Sequence, residues 1–159
     1  MSMNLLPDYS MNTDIPFDLA RIPASFARCF QGDCPKAGAC VRFLAGKHVP
    51  AGKLSGPAVY PTARRGDDCE LYKPTRVIRA AYGFTALFAE VKRKDDTPLR
   101  DRLKAYLGGN TTYYRYHHGE RLLTPEQQEW ILALFRRKGY TEGLRFDGYK
   151  ELYDFGQGI

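Results

Sequence analysis

Cysteine is the residue type in this chain best suited to chemistry, and its four copies fall at Cys29, Cys34, Cys40 and Cys69. Thiols in a chain without an export signal hold metal more often than they form disulfides, because the cytosol is reducing. Four thiolates satisfy a tetrahedral zinc ion, and its binding energy would staple a region with little core of its own. The spacing, C-x4-C-x5-C-x28-C, contains none of the C-x2-C pairs of zinc ribbons. An iron–sulfur cluster held by four cysteines tolerates more varied spacing and is the second candidate. His48 is a candidate replacement for one cysteine in either site. The third alternative is four reduced thiols with no ligand, since free cysteine is among the most often buried residues. Asp67 and Asp68, beside Cys69, receive no role.

A second set of residues could contact nucleic acid. Residues 92 to 121 carry 8 basic and 4 acidic side chains, which accounts for the entire positive excess of the second half of the chain and most of the total of +6. Lys92, Arg93, Lys94, Arg100, Lys104 and Arg121 are the candidates to neutralise phosphates. The bland alternative is a solvated charged face. Tyr106, Tyr113, Tyr114 and Tyr116 are likewise more often core and rim packing than a base-stacking surface. His117 and His118 read equally well as exposed loop residues or as ligands. No Ser-His-Asp, HExxH, P-loop or GxGxxG arrangement is present, so nothing points to an enzyme. Glu126 and Glu129 are better explained by the positive end of a helix than by acid–base catalysis.

The elements that must position these groups differ between the two halves. Eight of the ten prolines precede residue 75, so long regular elements are not expected there. Helical turns broken at Pro23 are expected over residues 15 to 28, a short helix over Ala39 to Ala45, and an irregular excursion over residues 51 to 68. From Arg76 to Lys92 the apolar residues Val77, Ala80, Ala81, Phe84, Leu87, Phe88 and Val91 recur at helical spacing, which predicts a helix. Thr97-Pro98 predicts the start of a second helix running to Leu107, and Thr124-Pro125 with Gln127 predicts a capping box opening a third over residues 125 to 138. Residues 110 to 123 fit a helix with Tyr113 and Tyr116 inward, or a strand. The tail offers a hairpin at Asp147-Gly148 or a closing helix over Gly148 to Phe155, of which the helix is favoured.

Composition bounds the rest. With 159 residues the chain is one domain, or two small lobes at 1–75 and 76–159. A hydrophobic content of 43% and an aromatic content of 13% exclude wholesale disorder. No run approaches the roughly 20 apolar residues that span a bilayer, and the N-terminus lacks a basic, apolar leader, which predicts a soluble cytoplasmic protein without a membrane partner.

The stretch LRDRLKAYLGGNTTYYRYHHGERLLTPEQQEWILALF resembles the helix-turn-helix of the lambda-repressor/Cro (Xre-type) family over residues 98–135. The matching residues are Leu107-Gly108, Thr111-Thr112, Arg115-Tyr116, Gly119-Glu120-Arg121 and Thr124-Pro125-Glu126. The resemblance implies a recognition helix bearing Asn110, Thr111, Thr112 and Arg115 in the major groove of double-stranded DNA. The resulting expectation is a mainly α protein, with a helical C-terminal module and a loop-rich, cysteine-containing N-terminal lobe. It would act as a small intracellular DNA-binding regulator or accessory protein with a structural zinc. The alternatives are a metal-stapled module that binds a protein partner, and an iron–sulfur redox or sensor protein.

Overall fold

The computed structural model describes residues 18–156, with no statement on the side chain of Ala20. The segment read above as lacking a leader lies outside the described residues. Proline keeps the first half irregular, and its regular elements are short. A helix, α1 (Val41–Lys47), follows single 3-10 turns at Leu19–Arg21 and Ala37–Ala39. A third such turn at Pro61–Ala63 leads into an antiparallel hairpin of β1 (Arg64–Arg65) and β2 (Asp68–Cys69). Gly66 turns this hairpin at φ +63°, a left-handed conformation that side chains resist. Helix α1 buries Val41 and Ala45 against Ile22, Phe26 and Phe155. The buried Arg28 donates to the carbonyls of Ala45 and His48 at the C-terminal end of α1, beside the His48 N–H that donates to the Ala45 carbonyl.

The second half departs from the predicted pattern at its start. Residues expected to open a helix instead form β3 (Val77–Tyr82), followed by a single helical turn, α2 (Thr85–Phe88). The reason lies in burial on both faces. Ile78 and Ala80 pack with Leu122 and Leu152, while Ala81 faces the main core. With Ala80 and Ala81 buried on opposite faces and Arg79 exposed, the strand lacks the apolar–polar alternation that identifies strands, and its apolar residues mimic helical spacing. Gly83, at φ +82°, ends the strand, and the Asp147 carboxylate accepts from the backbone N–H groups of Thr85 and Ala86 at 3.0 and 2.7 Å to cap α2.

Three longer helices follow: α3 (Arg93–Tyr106), α4 (Asn110–His117) and α5 (Pro125–Arg137). Helix α3 starts four residues before the predicted Thr97 cap, so Pro98 lies inside it. The Tyr140 hydroxyl supplies the acceptor that the local sequence does not: it takes the N–H of Lys92 at 3.0 Å and donates to Asp95 at 2.6 Å. Helix α5 opens as predicted. Gln127 N–H donates to Thr124 Oγ1, and the Thr124 N–H donates to Gln127 Oε1, completing the capping box. The tail is β4 (Gly148–Tyr153), antiparallel to β3 from Val77↔Tyr153 to Tyr82↔Gly148, and the favoured closing helix is therefore overturned.

Among the described residues, five α-helices accompany two two-stranded antiparallel sheets, so the fold is mixed α/β and the mainly α expectation is corrected. The main core gathers Phe84, Leu99, Leu103, Tyr113, Ile131 and Phe135, all fully buried. Strand β4 then carries the chain back to the first half. Phe155 meets Phe26 edge-to-face at 5.3 Å, and Asp154 N–H donates to the Arg76 carbonyl.

Candidate functional site

Cys29, Cys34, Cys40 and Cys69 all line one small cavity of about 20 Å³. Separate backbone bonds bring them there. Cys29 N–H donates to the Arg42 carbonyl at 2.9 Å, so residues 29 and 40–42 run side by side. Cys40 is the N-cap of α1 and bridges to Pro74. The Cys34 carbonyl accepts from Ala37 N–H at 3.0 Å within a tight turn. Cys69 arrives on β2, opposite Arg64. Two ion pairs tie the cysteine loop to this hairpin: Lys36 with Asp68 at 3.3 Å and Arg64 with Asp33 at 3.0 Å. Asp68, given no role from sequence, is thus a tether. His48 is exposed at the C-cap of α1 and does not line the cavity.

Cys40 is buried and the other three are half-buried. All four cysteines contribute to the cavity wall, and among the described residues no three His, Cys, Asp or Glu side chains are set as a metal's donor group. Phe43, Val59 and Leu71 close the cavity with apolar surface, and Lys36, Arg42 and Tyr72 also line it. Arg64 Nη1 is buried without a hydrogen-bond partner, while the same guanidinium interacts with Cys34. Sequence reasoning missed these flanking residues. The one signal available was the run Arg64-Arg65-Gly66-Asp67-Asp68, whose glycine marks a hairpin turn.

The candidate nucleic-acid residues separate into three groups. Helix α4 turns Tyr113 and Tyr116 inward and exposes Asn110, Thr111, Tyr114, Arg115 and His118 along one face, with Thr112 half-buried. Lys104 reaches over the Tyr114 ring at 5.8 Å, and Tyr114 stacks with His118 at 6.1 Å, so both extend this face. Arg121 is half-buried with its guanidinium 5.7 Å from the Tyr116 ring. Lys92, Arg93 and Lys94 are exposed at the opposite end of α3, on the order of 15 Å from Lys104 along the helix axis.

Arg100 is occupied internally. It donates from Nε and Nη2 to the two Asp96 oxygens at 2.7 and 3.2 Å and from Nη1 to the Tyr113 hydroxyl at 3.1 Å, and it lies 4.1 Å over the Phe88 ring. This forked pair holds the Asp96 carboxyl below its usual range, chiefly through the hydrogen bond from Arg100. Burial, first among the causes, pushes the Tyr113 phenol up, keeping it protonated beside the guanidinium. A carboxyl with a depressed folded pKa stabilises the protein above the unfolded value of about 4 and loses that contribution as pH falls through the folded pKa. Asp96→Asn is therefore expected to lower Tm at neutral pH, with the gap to wild type closing in acid. Thermal melts of both proteins across that range provide the check, and a gap independent of pH would contradict the assignment.

No helix among the described residues is long and apolar enough to cross a membrane. Fold and site together define a small mixed α/β protein with a thiol-lined cavity in its first half and a polar, aromatic helix face in its second. Residues 11–155 match a family of unknown function, DUF6078, and the chain belongs to that family. No curated protein and no solved structure matches it. The resemblance of residues 98–135 to the lambda-repressor/Cro helix-turn-helix is corrected by this finding. The matching family spans nearly the whole chain, and no Xre-type family matches. The resemblance rested on local residue types that pack Tyr113 and Tyr116 and cap α5, and a small helical pair imposes these whatever it binds.

Proposed function

We propose that this protein contacts double-stranded DNA through the exposed face of α4. The observation that supports the reading is the set Asn110, Thr111, Tyr114, Arg115 and His118 on one side of a helix whose other side is buried, extended by Lys104. These groups offer hydroxyl and amide contacts to base edges and a guanidinium able to bind guanine bidentately. Lys92, Arg93 and Lys94 add to the support. Cations at a helix N-terminus oppose the macrodipole, so their placement does not serve the stability of α3. Arg100 is withdrawn from the phosphate-contacting set, because Asp96 and Tyr113 hold it. The reading assigns the protein to the cytoplasm, where its thiols stay reduced.

Fluorescence anisotropy with short duplexes at stepped salt concentrations tests it. Affinity should fall steeply with salt, and Arg115→Ala should weaken binding to a preferred sequence by about 1 to 3 kcal/mol. Undetectable binding at low salt, or equal weakening on every sequence, contradicts the role given to Arg115. A second reading, a protein-binding module, is favoured by Leu54 at 95%, Tyr60 at 75% and Phe30 at 59% exposure in the first half. Leu54 and Phe30 line a groove of about 470 Å³ beside Arg28. Protein capture that is abolished by Leu54→Ser, with duplex binding absent, would favour this reading over the first.

A further inference from the structure

The four cysteines come from three separate stretches of chain, and nothing in their spacing requires them to meet. They line one cavity because the Cys29 amide bonds the Arg42 carbonyl, Cys40 caps α1, and the Arg64–Cys69 hairpin is tethered to the cysteine loop by Lys36–Asp68 and Asp33–Arg64. Tertiary contacts here do the work that a C-x2-C turn does in zinc ribbons. The cavity they line is small and walled by apolar side chains, and about 20 Å³ suffices for one atom-sized sphere. The cavity's polar flank is cationic, with Lys36 and Arg42 in the lining and Arg64 at Cys34. Arg64 Nη1 is buried with no hydrogen-bond partner, which is an arrangement that costs free energy unless an acceptor is supplied.

We infer that Cys29, Cys34, Cys40 and Cys69 form a thiolate site for one tetrahedral metal ion, zinc, and that Arg64 is a positioning residue which donates Nη1–H to a ligating sulfur. Four thiols lose their protons to the solvent on binding, and four thiolates with one divalent ion leave two negative charges. Arg42 lines the cavity beside that charge, and Lys36 and Arg64, paired with Asp68 and Asp33, flank it. Zinc takes cysteine sulfurs at about 2.3 Å, and each of these side chains is redirected by rotation about χ1 alone. The site cross-links the proline-rich half where its own core is smallest, with Ile22, Phe26, Val41 and Ala45 as its main apolar members. This inference is independent of DNA binding and stands or falls separately from it.

Metal analysis of protein purified under reducing conditions, followed by cobalt titration of the metal-free full chain, tests the site without any mutation. The expected result is one zinc per chain and, on cobalt addition, the intense visible bands of tetrahedral cobalt with a thiolate-to-cobalt charge-transfer band, saturating at one equivalent and bleached by zinc. Cys69→Ser should lower the charge-transfer intensity. Arg64→Gln should leave the spectrum tetrahedral and weaken metal affinity by about 10- to 100-fold. A weak octahedral cobalt spectrum without charge transfer, or no saturation at one equivalent, overturns the site. Brown protein carrying iron and acid-labile sulfide overturns the single-ion assignment, and unchanged affinity in Arg64→Gln overturns the role of Arg64.

Discussion

Replacing Phe84 with alanine is expected to cost about 3 to 5 kcal/mol, a large part of the 5 to 15 kcal/mol that holds an ordinary domain together. The ring is 1% exposed and stands where β3 gives way to α2. It stacks on Tyr113 at 4.9 Å and on His117 at 6.0 Å, and it meets Phe146 nearly edge-on at 6.4 Å. The Phe84 backbone N–H also donates to His117 Nδ1 at 3.2 Å. Removing the ring leaves a cavity lined by aromatic rings that packing elsewhere cannot refill without moving α4. Denaturant melts of wild type, Phe84→Leu and Phe84→Ala should give losses in rising order, with the alanine variant lowering Tm by roughly 10 °C or more. Equal, small losses would mean that the ring is not a packing centre. Because the same ring seats α4, duplex binding by Phe84→Ala should weaken even at temperatures where the variant remains folded.

Gly46→Ala should destabilise the first half strongly, against the local trend. Alanine inside a helix is ordinarily better than glycine by about 1 kcal/mol. Here a Cβ at position 46 would fall on the Cys29 carbonyl, a backbone group that cannot rotate away. Overpacking against backbone costs about 3 kcal/mol or more, so the clash outweighs the propensity gain. Arg28 N–H donates to the Pro57 carbonyl and Cys29 N–H to the Arg42 carbonyl, so a shift of Cys29 disturbs both α1 and the strand-like stretch beside it. A thermal melt settles the sign. Stabilisation would show that propensity wins and that α1 can retreat from Cys29. If the thiolate site is as inferred, the same variant should also bind cobalt more weakly, because Cys29 is pushed from the cavity wall.

Much of the second half was legible before any coordinates. Thr124, Pro125 and Gln127 form the expected capping box and α5 buries Ile131, Leu134 and Phe135, while the structure settles the open choice at residues 110–117 as the helix α4. These features are local: each depends on residues within about one or two turns of one another. The failures were non-local. Val77 to Tyr82 became a strand because Gly148 to Tyr153, some seventy residues later, pairs with it, and because Ala80 and Ala81, on opposite faces, are both buried. The start of α3 moved because Tyr140 reaches back to the Lys92 amide. The resemblance to the repressor family had a local origin, since short-range spacing and caps build a helix pair of this kind in unrelated families.

The site divides along the same line. Residue types by themselves determined that the first half holds thiols and that the second holds a basic, tyrosine-rich window, with residues 110 to 123 open to either a helix or a strand. Only the tertiary structure decided that four cysteines with no diagnostic spacing share one cavity, that Arg100 is held by Asp96, and that Lys92 to Lys94 stand apart from Lys104. The physical reason is that helical faces and caps arise from short-range periodicity, which the chain carries in its order. Convergence of distant side chains is set by loop paths, strand pairing and buried contacts, which no single stretch of this sequence contains.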